Sequence, residues 1–296
     1  MRTRLQSLGA PARLAAFAAG LAVLGGAAAL AGAATGSERV AEPAQHGDPM
    51  GMDAVGAADH STAQSRASGL SSVAGGYRFV STQTTLPLGR STTFAFRIID
   101  REGRPVRNVD LDGGVRVHLI VVRRDFAGYL HVHPVLRADG SWRVPLTLAA
   151  PGAYRAFADF EIDGAKTVLG RDLFVPGSFS PAPLPAPASA TAVDGFRVDL
   201  AYAPLHAGVA TKLHFAISRD GRPVPSFDAY VGQRGHLVAL RDGDLSYSHV
   251  HPEPDAAVGE IVFHASLPSA GRYRLFLQFK VRGVVHTAPF TIEVAR

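Results

Sequence analysis

Glu102-Gly-Arg-Pro-Val106 returns as Asp220-Gly-Arg-Pro-Val224, 118 residues further along a chain of 296. The same spacing carries His118-Leu119 onto His236-Leu237 and His131-Val-His-Pro134 onto His249-Val-His-Pro252. One inserted residue then lengthens the spacing to 119, at which Gly152-Ala-Tyr154-Arg-Ala-Phe157 meets Gly271-Arg-Tyr273-Arg-Leu-Phe276. A register kept through turns and apolar positions alike implies one domain used twice, over 77–176 and 194–296. Each copy has the size of an independent domain.

Within each copy the side chains follow a strand period. Phe94, Phe96 and Ile98 alternate and stop at the turn Arg101-Glu-Gly-Arg-Pro105, as Leu213, Phe215 and Ile217 stop at Arg219-Asp-Gly-Arg-Pro223. Residues 115–122 and 235–240 read as buried strands, and 142–148 and 260–267 alternate again. The 31 glycines and 20 prolines supply frequent turns. Short strands at turn-punctuated intervals predict an all-β chain with an antiparallel β-sandwich in each copy.

The flanking segments have a different character. Arg2, Arg4 and Arg13 precede an uncharged Ala/Leu/Gly stretch over 14–34, the pattern of a signal peptide. The stretch is also long enough to span a bilayer as an uncleaved anchor. Both readings place the rest of the chain outside the cytoplasm, secreted or held at the outer face of the membrane. Residues 35–76 lack apolar periodicity and read as a disordered linker. Within it, His46, Met50, Met52 and His60 mix thioethers with imidazoles, a combination that suits weak Cu(I) binding; the plainer reading, a polar tether with incidental Met and His, is preferred. A second, Pro/Ala-rich linker over 177–193 separates the copies as an extended spacer.

Several function classes drop out. With no cysteine there is no disulfide, thiolate metal site or Cys nucleophile. The formal net charge of +5 comes from scattered arginines that form no run and no nucleic-acid motif. No nucleophile elbow, phosphate loop or metalloprotease helix occurs, so the chain reads as a non-enzyme.

What remains is histidine. Six of the 12 His recur in both copies: His118, His131 and His133, then His236, His249 and His251. Residues two apart in a strand share a face, so each His-Val-His presents two imidazoles together. The third His lies a hairpin's length upstream and reaches the same face if the two strands pair. Three neutral imidazoles with an open position suit copper or zinc. His286 and Glu253 can add ligands in copy two, where copy one has Thr167 and Val135. The competing reading has these histidines hydrogen-bonding strand ends in an interaction or adhesion module without metal. His206, His214 and His264 have no counterparts and read as incidental surface or strand residues.

At the Gly-x-Tyr-x-x-Phe and His…His-Val-His-Pro segments the chain resembles secreted actinobacterial proteins with paired immunoglobulin-like domains. There a tyrosine fixes the corner between sheets. More distantly it is similar to YtkA-like and copper-resistance (CopC-like) sandwiches. The resemblance implies two tandem immunoglobulin-like sandwiches and extracytoplasmic metal handling, with copper the first choice. A metal ion is the expected partner, and an unidentified envelope protein is a further candidate. It supplies no ligand set, since the N-terminal histidine motif of CopC-like proteins has no match here.

Overall fold

The computed structural model describes residues 68–248, 250–254 and 256–296, all within one compact unit, Ser61–Arg296. The expected signal or anchor segment, the Met/His-containing part of the first linker, and His249 lie outside the described residues. No helix among the described residues is long and apolar enough to cross a membrane.

Copy one supplies β1 (Val73–Ala74), β2 (Tyr77–Val80), β3 (Thr92–Ile99), β4 (Val117–Arg123), β5 (Leu130–Val132), β6 (Val135–Leu136), β7 (Trp142–Leu146), β8 (Gly152–Ile162) and β9 (Ala165–Val175). Copy two begins with β10 (Ala190–Val193), β11 (Phe196–Ala201), β12 (Ala210–Arg219), β13 (Arg222–Pro223) and β14 (Gly235–Arg241). It continues with β15 (Tyr247–Ser248), β16 (Val250–Glu253), β17 (Glu260–Ser266), β18 (Gly271–Val281) and β19 (Val284–Val294). Copy one forms an outer sheet β1-β2-β3-β7-β6 and an inner sheet β5-β4-β8-β9. Copy two repeats them as β10-β11-β12-β17-β16, with β13 on β12, and β15-β14-β18-β19. The result is two tandem immunoglobulin-like antiparallel sandwiches.

The repeated motifs have local jobs. Asp100 Oδ1 accepts the backbone N–H of Glu102 and of Arg104, at 3.0 and 2.8 Å, closing the turn after β3. The tyrosines of both Gly-x-Tyr-x-x-Phe segments donate to a carbonyl four residues upstream. Tyr154 reaches Ala150 at 2.8 Å and Tyr273 reaches Ser269 at 2.9 Å, so each copy has its tyrosine corner.

Side-chain alternation then builds three cores. On β4, Val117, Leu119 and Val121 point into the core of copy one with Trp142 and Tyr154. Leu237 and Ala239 of β14 do the same in copy two. The other faces of these strands meet each other. Ile120, Val122 and Phe157 pack with Val238, Leu240, Tyr247 and Phe276 in a third core that belongs to both domains. The inner sheets are therefore covered on both faces, which explains why 115–122 and 235–240 lack the alternation of the outer strands. Tyr129 stacks on Phe276 at 4.0 Å, and the buried Tyr247 hydroxyl donates to Asp159 Oδ2 at 2.9 Å, each a contact between the copies.

Both linker expectations need correction at their ends. Residues 68–76 are ordered, because the Arg155 guanidinium holds the carbonyls of Gly69 and Leu70 at 2.7 and 2.6 Å and β1 pairs with β2. Gly170 makes this possible, since a Cβ there would lie 1.8 Å from the Gly69 carbonyl oxygen. At the second linker, residues 190–193 form β10, antiparallel to β11.

Candidate metal centre between the two domains

His118 on β4 and His236 on β14 occupy the same position in the two copies, on the faces that meet. Their rings stack at 5.3 Å with an interplanar angle of 8°. The hairpin that pairs β5 with β4 sets Ile120 opposite His131 and delivers His131 to the same place. Its ring lies 4.4 Å from that of His236 and 5.1 Å from that of His118. The donor nitrogens of His118, His131 and His236 all lie within 4.8 Å of one another. His133, two residues on, adds a fourth ring at 4.8 Å from His131 and 5.3 Å from His118. Among the described residues, three imidazoles thus come from copy one and one from copy two.

A hydrogen-bond chain orders the group. Gln278 Oε1 accepts from His131 Nδ1 at 2.7 Å, and the Gln278 amide is itself fixed by donating to Thr287 Oγ1 at 3.2 Å. The proton on Nδ1 leaves Nε2 of His131 as a lone-pair donor. That atom lies 2.9 Å from His118 Nδ1. The Tyr230 hydroxyl closes the far side of His131 at 3.2 Å.

His131 and His133 are held neutral. Burial, and then the neighbouring rings of His118 and His133, push His131 down to about 3. Burial and His118 push His133 down to about 4. Neutral imidazoles are the ligand form and have no proton to release. The same shifts set a pH dependence. The unfolded chain protonates these rings near 6.5 and the folded chain only near 4 and 3, so unfolding takes up about two protons between those values. Stability is full above about pH 6.5 and falls as pH drops through that window. Urea unfolding at pH 7 and pH 5 should show a lower midpoint at pH 5, and equal midpoints would contradict the assignment.

This set fits a copper or zinc ion in its donor chemistry. His131 has its other nitrogen tied to an amide carbonyl, the arrangement that orients metal-binding histidines.

The two copies do not build equal sites. Copy one leaves its inner sheet after His133, where β5 on β4 gives way to β6 on β7. Copy two crosses earlier: β15 pairs with β14, but β16 already pairs with β17. His251 therefore stands exposed on the outer sheet, opposite His264. Glu253 follows it there, bound to Lys212 at 2.9 Å and to His264 at 3.1 Å. His286 lies apart from the cluster. It shares the inward face of its sheet with Phe279, and its Nδ1 meets Asp194 Oδ2 at 2.7 Å. The period of two places Gln278 and Thr287 on the face towards copy one and His286 on the other. Gln278 and Tyr230 are not among the residues that the sequence singles out. The available signal for Gln278 was a single amide inside the apolar run Leu275-Phe-Leu-Gln-Phe279.

Fold and site together define a tandem immunoglobulin-like protein with an imidazole cluster at its joint. The chain belongs to the family described as Domain of unknown function (DUF8832), which matches residues 71–175 and again 191–296. No curated protein matches the sequence. Among solved structures it is similar to the Lin-41 filamin domain, at 14% identity and a TM-score of 0.25, covering 34% of this chain and 92% of that one. It is also similar to the Escherichia coli adhesin FdeC, at 18% identity and a TM-score of 0.26, covering 74% of this chain and 64% of that one. A third is Salmonella alpha-2-macroglobulin reacted with methylamine, at 13% identity and a TM-score of 0.28, covering 78% of this chain and 15% of that one. The matched region is thus less than two thirds of the adhesin and macroglobulin chains. At these scores no function is transferred from them. Neither the family nor these structures bear on the likeness to YtkA-like and copper-resistance sandwiches or on an actinobacterial source.

Proposed function

We propose that this chain is a non-enzymatic, extracytoplasmic two-domain module that binds one copper or zinc ion in the imidazole cluster between its domains. The observation that carries the reading is the convergence of His118, His131 and His236 donor nitrogens within 4.8 Å, from two domains. Imidazole is a good ligand for both metals. The resemblance to copper-handling sandwiches agrees with it but adds no ligand.

Titration of the full chain with Zn(II) and Cu(II), followed by calorimetry and thermal unfolding, tests this. One equivalent should bind and raise the melting temperature, because an ion held only by the folded state stabilises it. Uptake should persist when His46, Met50 and Met52 are replaced together and vanish in His131→Ala/His236→Ala. A melting temperature unmoved by either ion sinks the proposal.

A second reading is an interaction or adhesion module whose histidines are purely structural. The tandem immunoglobulin-like fold supports the module part of both readings more directly than it supports an ion. The His118–His131–Gln278 hydrogen-bond chain already ties copy one to copy two. On that reading the double variant loses stability and no metal binding is found in the parent.

A further inference from the structure

A cavity of about 280 Å³ opens beside the cluster, and its walls come from both copies. His118 and His236 form part of it, and His251 lines it too, although the strand crossing carried that residue to the outer sheet. Copy one also contributes Asp112 and Lys166, an ion pair at 3.0 Å. His131 does not line this cavity; its Nδ1 is held by Gln278 and Tyr230, and its Nε2 meets His118.

We infer that this cavity is the port through which the ion enters and leaves, with His251 as its first protein ligand and the cluster as its resting place. The inference rests on the metal-binding reading above. A hydrated cation must exchange water for nitrogen before it reaches a half-buried site, and a site needs an entry path for that exchange. An exposed imidazole on the cavity wall supplies the first nitrogen while the ion is still largely hydrated. The Asp112 carboxylate, about half exposed and paired with Lys166, lines the same cavity and offers an oxygen along the way. Two of the resting ligands, His118 and His236, line the same cavity as His251, so an ion held at His251 is already in the space they open onto. The early crossing of copy two then gains a purpose. It turns one histidine of the duplicated motif from a resident ligand into an entry ligand.

The test is stopped-flow mixing of the full chain with Cu(II) alone, followed by the absorbance of the bound ion, together with equilibrium titration. His251→Ala should slow uptake and release several-fold and leave the equilibrium affinity unchanged. Gln233→Trp, which narrows the same cavity from an exposed turn, should also slow both steps. His264→Ala, an exposed imidazole directly across the strand pair, should change neither. Unchanged rates in His251→Ala and Gln233→Trp overturn the port. An affinity loss in His251→Ala as large as that of His236→Ala makes it a resident ligand and also overturns the inference. If the parent chain binds no ion at all, the failure belongs to the metal-binding reading itself.

Discussion

Replacing His236 with alanine is expected to weaken ion binding roughly 100-fold, about 2.7 kcal/mol, although the other three clustered imidazoles belong to the first domain. The reason is geometric. His236 lies on β14, and its ring is stacked on that of His118 and 4.4 Å from that of His131. Without it the remaining donors leave the side towards the second domain unfilled. His286→Ala should leave affinity unchanged, because that side chain faces the opposite side of its sheet and is bonded to Asp194. Calorimetric titration of the two variants separates a composite centre from two separate ones. Equal losses in both variants, or none in His236→Ala, would refute the composite centre.

Phe157→Ala should lower stability by about 3–5 kcal/mol, the usual cost of removing a fully buried aromatic. Phe157 is 0% exposed and sits in the core shared by the two domains, where it packs 5.5 Å from the Tyr247 ring. It has no place in the separate cores of either sandwich. Most of the loss should therefore fall on the attachment between domains. Denaturant unfolding of the variant is expected to show an early transition with a rise in the radius of gyration by X-ray scattering, followed by unfolding of the sandwiches. A loss under about 1 kcal/mol would mean that the shared core contributes little.

Much of the fold was legible because it is written in local periods. Phe94, Phe96 and Ile98 alternate because one face of β3 is wet and the other is buried, and the duplication gives every such signal twice. The tyrosine corners were legible for the same reason, since Tyr154 and Tyr273 act on carbonyls four residues away. The candidate site was legible only as a set of residue types. The His-Val-His spacing shows two imidazoles on one face, and it shows this equally for His131/His133 and His249/His251.

By itself, then, the sequence determined two copies of one antiparallel sandwich and a supply of neutral-capable imidazoles at fixed strand positions. Only the tertiary structure decided how those imidazoles combine. Two inner sheets with apolar outer faces bury them against each other, and that packing brings His236 to the histidines of the other copy. The place where each copy crosses between sheets then sorts otherwise equal motifs, keeping His133 beside the cluster and sending His251 to the cavity wall. Neither choice is a local one. Both depend on which face finds a partner at long range, and no period in the chain records that.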